Sequence, residues 1–306
     1  MSSLVVSVPT QQLFDAVVAS RTDVDLVLWD MTSPSPRAQI DVVVPPYMVG
    51  NAVLSQLASV TTRLVQSQLV GYDGVAEVLP GGHVFANAAS VHETSTAELT
   101  LALILASQRG IPDFVRAASE GHWERSFHES LADRRVLLVG YGGVGRAIED
   151  RLLAFETNVV RLATRERDDE RGHVYGLDAL YDQLALADIV VVGVPLTEET
   201  THLVDDKFLS AMRDGTLLVN IARGRVADTD ALLAHARSGR LRLTLDVTDP
   251  EPLPDGHPLF AMPNVLISPH VGGASSAMLP RMVRLLIAQI DRLERGEEPD
   301  NVVLRS

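Results

Sequence analysis

Three segments in the last third of this 306-residue chain end an apolar run with charged or imidazole side chains. They are LLVNIARGRVAD with Arg223, LTLDVTDPEPLPDGHPLF with Asp246 and Glu251, and VLISPHVGGAS with His270. If these runs are strands of an open α/β sheet, their carboxyl ends lie where ligands bind, and the four side chains converge there. A guanidinium offers a fixed fork of donors, and an imidazole beside a carboxylate is suited to proton transfer. Each residue also has a plainer reading. An arginine at a strand end commonly makes a surface ion pair, and a carboxylate before proline commonly serves a turn. The other histidines, His83, His92, His122, His128, His173, His202, His235 and His257, show no metal-ligand spacing, so no metal site is expected.

A further segment points to a second kind of chemistry. VLLVGYGGVGRAIEDRLLAF sets Gly140, Gly142 and Gly145 in G-x-G-x-x-G spacing, directly after an apolar strand and at the opening of an amphipathic helix. The first glycine permits the tight turn, the second lets the backbone approach a pyrophosphate, and the third lets helix and strand pack closely. N–H groups at the helix start, around Gly143, Val144 and Gly145, then hold the anion. The next strand, NVVRLA, ends at Ala163, 18 residues after Gly145. A dinucleotide fold selective for NAD usually places an Asp or Glu there on the ribose 2′-OH. Here RLATRERDD supplies no such carboxylate. Thr164 can donate a hydrogen bond to a 2′-phosphate, and Arg165 or Arg167 can pair with it through a guanidinium fork. NADP(H) is therefore the expected cofactor, with NAD(H) possible. The alternative is a solvated loop whose arginines are balanced by Asp168, Asp169 and Glu170.

These residues require a scaffold of parallel strands. RRVLLVG, NVVRLAT, DIVVVGVP, GTLLVNIA, RLRLTLDV and NVLISPH recur at intervals that fit βα units rather than hairpins. Earlier, LVVSVP, VDLVLW, IDVVVPP and RLVQSQLV read as strands of a smaller sheet, with a helical stretch over Met48 to Ser59. A long helical pattern runs from Thr94 to Ala118, interrupted at Ile111-Pro112, and a last amphipathic helix follows Ser275 to about Arg295. GEEPDNVV then reads as a turn and tail. The fold class is α/β with two domains, since the chain is long enough for two cores.

Composition narrows the function classes. The formal net charge of −14 repels a phosphate backbone, so nucleic acid is not an expected partner. There is no Cys, hence no disulfide, zinc-thiolate site or thiol nucleophile. The start lacks a signal-peptide pattern, and the best apolar run, LTLALILA, is too short to span a bilayer. A cytoplasmic enzyme without membrane contact is the expectation.

Several motifs in order, VGYDGV near Gly71, TAELTLALILA, GYGGVG, VPLTEETTHLV and SPHVGG, resemble the D-isomer-specific 2-hydroxyacid dehydrogenase family over nearly the whole chain. The resemblance implies a flavodoxin-like substrate domain over 1–97 plus 276–306 and a Rossmann cofactor domain over 98–275, with a doubly wound parallel sheet. The two crossings between them imply a hinge. It implies reduction of a small 2-keto acid to the D-2-hydroxy acid, of the glyoxylate or hydroxypyruvate reductase kind. In that scheme Arg223 orients the substrate carboxylate and polarises the ketone, and His270 delivers the proton. Glu251 would hydrogen-bond the imidazole, while Asp246 would serve the nicotinamide side or tune the pair. Backbone N–H groups near Val70 and Gly71 would receive the substrate carboxylate, and Tyr47 either stands at the substrate mouth or packs within its own domain. Val194, Pro195, Thr200, Ile221, Ala222 and Gly272 match family cofactor contacts. A homodimer involving the helix from Thr94 is also implied. Asp133 and Ser90 depart from the family pattern, which often has Gly at both positions. A cofactor-sensing corepressor on the same architecture is the competing function, although no added interaction tail is seen.

Overall fold

The computed structural model describes residues 3–306. The chain divides into two compact units, one running up to His92 and resuming at Ser275–Ser306, the other spanning Glu93–Ala274.

In the first unit, β1 (Val5–Val8), β2 (Asp25–Leu28), β3 (Val42–Val43), β4 (Leu64–Gln66) and β5 (Val84–Ala86) form a parallel sheet. A sixth strand, β14 (Val302–Arg305), joins β5 antiparallel, giving the order β14-β5-β4-β3-β1-β2. The expected turn and tail thus becomes an edge strand. It is fastened by Gln289, which donates to the Asp300 carbonyl, and by the Asn87 N–H on the Asn301 carbonyl. Alternate strand residues serve opposite faces. Val6, Val8, Val42 and Leu64 pack with α1 (Gln11–Ser20) and α8 (Met278–Glu294), while Val43, Val65 and Phe85 pack with Trp29, Leu54 and Leu57. Leu54 and Leu57 lie on a 3-10 helix, Asn51–Ser59, within the helical stretch expected over Met48 to Ser59.

In the second unit, β6 (Arg135–Val139), β7 (Asn158–Leu162), β8 (Arg167–Asp169), β9 (Gly172–Tyr175), β10 (Ile189–Val192), β11 (Leu217–Asn220), β12 (Arg242–Leu245) and β13 (Val265–Ile267) form one sheet. Its order is β13-β12-β11-β10-β6-β7-β9-β8, parallel except for the terminal β8–β9 hairpin. Strand order reverses between β6 and β10, which opens a crevice at their carboxyl ends. The central strands are apolar on both faces. Leu137, Val139, Val190 and Val192 fill one core, and Val136, Leu138, Ile189 and Val191 fill the other. The covering helices are α2 (Glu93–Gln108), α3 (Ile111–Ser119), α4 (Gly143–Leu152), α5 (Leu180–Leu184), α6 (Asp206–Ala211) and α7 (Thr229–Arg237). The interruption expected at Ile111-Pro112 separates α2 from α3, where Gly110 turns left-handed at φ 63° and Pro112 enters the first turn.

The two departures from the family pattern share a conformation. Ser90 has φ 81° and Asp133 has φ 65°, both in the left-handed region that glycine enters without cost. No described helix is long and apolar enough to cross a membrane.

Candidate active site

The glycine turn follows β6 at the reversal of strand order. Gly140 adopts φ 101°, and a Cβ there would lie 2.7 Å from the backbone of Gly193, just past the end of β10. A Cβ on Gly145 would lie 2.7 Å from the Gly140 carbonyl oxygen. These two glycines are therefore required by packing. Gly142 differs: its side is open, with nothing within 4 Å, and it is the residue that lets a bulky anion reach the backbone. No side chain caps α4, so its first N–H groups face outward from Gly143, Val144 and Gly145. The cradle fits a pyrophosphate. On the neighbouring strand end, the Gly193 N–H donates to the Val139 carbonyl, and the Thr200 hydroxyl donates to the Pro195 carbonyl at 2.6 Å. Thr200 thus holds the turn containing Val194 and Pro195. Ile221 packs against Gly193.

At the other side of the turn, the Gly140 N–H donates to the Leu162 carbonyl, so Ala163, Thr164 and Arg165 leave β7 beside the glycine turn. The nearby arginines are in different situations. Arg146 pairs with Asp169 at 3.0 Å and with Glu170 at 3.1 Å. Arg161 donates to Glu149 at 2.6 Å, and Arg171 pairs with Asp150 at 2.5 Å and Glu149 at 3.3 Å. Arg167 donates to the Tyr141 carbonyl at 3.1 Å. Arg165 is exposed and makes no hydrogen bond or ion pair among the described residues, and the same holds for the Thr164 hydroxyl. Asp169 and Glu170 therefore balance Arg146, not Arg165.

Arg223, Asp246 and His270 leave the three adjacent strands β11, β12 and β13. Asn220, buried at the end of β11, accepts the Ala222 N–H through Oδ1 and donates to the Arg223 carbonyl through Nδ2. This presents Arg223, whose Nη1 also donates to the Ala222 carbonyl at 2.8 Å. Gly224 must follow, because a Cβ would sit 1.8 Å from the Thr248 carbonyl oxygen. Asn220 was not singled out from sequence, although a polar residue closing the run LLVN is a usable signal.

Asp246 is 3% exposed, and both of its carboxylate oxygens accept hydrogen bonds. Oδ1 accepts the Ser268 hydroxyl at 2.6 Å and the Val271 N–H at 3.0 Å, and Oδ2 accepts the Gly272 N–H at 2.9 Å. Its own carbonyl accepts the His270 N–H at 2.7 Å. The carboxylate is the scaffold of the 268–272 loop. That loop holds His270 at φ 53°, a left-handed conformation costly for this residue type and sustained only by surrounding bonds.

Glu251 Oε1 lies 2.6 Å from His270 Nδ1. A carboxylate can only accept, so Nδ1 carries the hydrogen and Nε2 is left as the exchangeable position. Both side chains are partly exposed, which gives the pair access to substrate and solvent. The arrangement can move a proton at Nε2 and bind an anion at Arg223.

In the first unit, Asn87 donates to the Val70 carbonyl at 2.9 Å. The N–H groups of Val70 and Gly71 make no hydrogen bond among the described residues. Tyr47 stacks on buried His92, with ring centroids 5.8 Å apart, and His92 Nε2 donates to the Gln68 carbonyl. Tyr47 is thus packed within its own unit, half-buried, and tied through His92 to the Val70 loop.

A family model described as the NAD binding domain of D-isomer specific 2-hydroxyacid dehydrogenase matches residues 101–272. A glyoxylate reductase of Pyrococcus horikoshii is 32% identical over 256 residues, covering 79% of this chain and 76% of the relative. One from Korarchaeum cryptofilum is 32% identical over 254 residues, with 79% and 76% covered. The solved structure of a D-isomer specific 2-hydroxyacid dehydrogenase from Xanthobacter autotrophicus, in complex with NADPH and MES, superposes with a TM-score of 0.84 at 29% identity, covering 99% of this chain and 98% of that one. With the glycine cradle, the imidazole–carboxylate pair and the strand-end arginine in one sheet, this chain belongs to the D-isomer specific 2-hydroxyacid dehydrogenases and is an oxidoreductase of that family.

Proposed function

We propose that this enzyme reduces a small 2-keto acid to the D-2-hydroxy acid with NADPH, as a glyoxylate or hydroxypyruvate reductase. The observation that carries the reading is the His270–Glu251 pair on the same sheet edge as Arg223. A reduced nicotinamide dinucleotide held at the glycine turn would supply hydride for C2 of the keto acid. Arg223 draws the substrate carboxylate and the ketone oxygen toward its fork, stabilising charge that grows on that oxygen. His270 Nε2 gives the oxygen its proton, and Glu251 accepts from Nδ1 throughout, stabilising the imidazolium that precedes transfer. In oxidation the neutral Nε2 takes the proton back. Val70 and Gly71 offer unengaged N–H groups to a carboxylate.

The cofactor preference rests on Ala163, which removes a repulsive carboxylate, and on Thr164 and Arg165, which are exposed and uncommitted beside the glycine turn. Arg167 plays a smaller part, because its guanidinium already serves the Tyr141 carbonyl. The Xanthobacter autotrophicus relative, solved in complex with NADPH at 29% identity, supports this choice. Steady-state kinetics with glyoxylate, hydroxypyruvate, pyruvate and phenylpyruvate, each with NADPH and NADH, test it. The expected result is a higher kcat/KM with NADPH and with the two smallest polar acids. No reduction of any 2-keto acid overturns the reading.

The partner we propose is a second copy of the chain. Amphipathic α3 buries only Ala117, and the following segment exposes Trp123 (97%) and Phe127 (101%) completely. Such aromatic side chains dominate interface energetics. The long helix α2 is instead largely occupied within its own unit, where Ala97, Leu101 and Ile104 join the core.

A further inference from the structure

Glu149 is a carboxylate with no exposed surface, on a helix whose next residue, Asp150, is exposed. It accepts the Tyr141 hydroxyl in a short hydrogen bond, Arg161 through Nε at 2.6 Å, and Arg171 at 3.3 Å. An ionised carboxylate is expensive to bury unless several donors surround it, and here three do. Burial and the adjacent carboxylate raise the Tyr141 phenol above its usual range, so it remains a donor.

The four residues of this cluster come from four different elements around the glycine turn. Tyr141 is the second residue of the glycine turn, Glu149 lies on α4, Arg161 on β7, and Arg171 in the turn of the β8–β9 hairpin. The guanidiniums of Arg146 and Arg161 lie over the Tyr141 ring, at 5.7 and 5.6 Å from its centroid, with Gly145 close against it. Its carbonyl takes Arg167, the first residue of the hairpin. Arg146 in turn holds Asp169 and Glu170. Every charged hairpin residue from Arg167 to Arg171, apart from Asp168 on His173, is thereby fastened to the glycine turn or α4. Thr164 and Arg165, which sit between β7 and that hairpin, are left free in side chain but fixed at both backbone ends.

We propose that Tyr141 and Glu149 are positioning residues for cofactor discrimination. They fix the β8–β9 hairpin to the glycine turn, so that Thr164 and Arg165 meet the 2′-phosphate at a set distance from the pyrophosphate cradle. They also occupy Arg161 and Arg171, which leaves Arg165 as the guanidinium available to the ligand. The inference rests on the NADPH reading above. It assigns to this buried cluster an effect that a general stabilising role does not produce, namely loss of NADPH affinity without equal loss of NADH affinity.

The test is a double-mutant cycle of Tyr141→Phe, which removes only the hydroxyl, with Arg165→Ala. Kd for NADPH and NADH is measured by fluorescence, and kcat and KM in turnover. Tyr141→Phe is expected to raise the Kd for NADPH about tenfold, on the scale of one charge-assisted hydrogen bond, with kcat and the Kd for NADH within about twofold. In the Arg165→Ala background the same substitution is expected to change NADPH binding little, because the coupled contact is already gone. Glu149→Gln should repeat the pattern with a lower Tm. Equal losses for both cofactors, or an additive cycle, overturn the proposal. A wild-type preference for NADH overturns the cofactor reading instead, which the same titrations of the unsubstituted enzyme reveal separately.

Discussion

Replacing Asp246 by Asn separates a positioning role from contact with the cofactor. The carboxylate accepts three hydrogens, from Ser268 Oγ and the N–H groups of Val271 and Gly272, at 2.6 to 3.0 Å. An amide keeps the shape but has one accepting atom. If its oxygen serves Ser268 and Val271, its NH2 group faces the Gly272 N–H, donor against donor. One buried N–H left unsatisfied costs about 1–3 kcal/mol, and the other two bonds lose their charge assistance, for a total of about 3 kcal/mol. In a unit of this size that corresponds to a fall in Tm of about 6–12 °C. His270 sits inside the affected loop at φ 53°, and a shift of about 1 Å in a reacting group costs roughly a hundredfold in rate. The expected variant therefore has a lower Tm, a kcat reduced about a hundredfold, and a nearly unchanged Kd for NADPH, measured by thermal melting, turnover and fluorescence titration. Weakened NADPH binding with kcat intact would refute the argument and return Asp246 to a direct nicotinamide role.

The glycines of the dinucleotide turn give a second contrast. Gly142→Ala meets nothing within 4 Å and should fold normally but lose binding of both cofactors, whereas Gly140→Ala, at φ 101° and 2.7 Å from Gly193, should lower Tm; titration and melting curves distinguish them. Arg165→Ala should raise KM for NADPH by roughly ten- to a hundredfold with KM for NADH unchanged, and Arg167→Ala should do less. A larger effect at Arg167 would contradict the assignment. Light scattering of Trp123→Ser with Phe127→Ser should show monomers where the unsubstituted protein shows dimers; an unchanged mass would rule out that surface. Burial holds the His83 imidazole below its usual value, so the unfolded chain binds its proton more readily than the folded one. Stability from this group is full above about pH 6.5 and falls as pH drops below it, and His83→Gln should flatten that part of a melting profile.

Much of the site was legible because its residues lie at strand ends, where periodicity locates them. LLVNIARGRV and LTLDV each combine an apolar run buried on both faces with one polar or charged residue just beyond it, and VLISPH does the same with a half-buried run on the outer strand β13. The glycine turn is read the same way, since Gly140, Gly142 and Gly145 answer local demands of turn and packing. What was not legible depends on distant partners. RDD is a strand only because Gly172–Tyr175 pairs with it and arginines neutralise it, and VVLR is one only because β5 has an open edge. In AIEDRLL, Glu149 and Asp150 look equally solvated, yet one is fully buried because Tyr141, Arg161 and Arg171 arrive from other elements. The position of Asp246 at a strand end is legible, whereas the three donors that its carboxylate accepts come from a loop some 25 residues later and are not.

The role we propose for His270, held by Glu251, is to supply the proton for reduction of a 2-keto acid. The most direct measurement compares the unsubstituted enzyme with His270→Gln, following NADPH consumption with hydroxypyruvate, the configuration of the product, and NADPH binding in one set of samples. A positioned general acid contributes about 10²–10⁴-fold. The expected results are D-glycerate from the unsubstituted enzyme, a loss of kcat of that size in the variant, and a Kd for NADPH unchanged within about twofold. Turnover surviving in His270→Gln, or L-glycerate as the product, would contradict it.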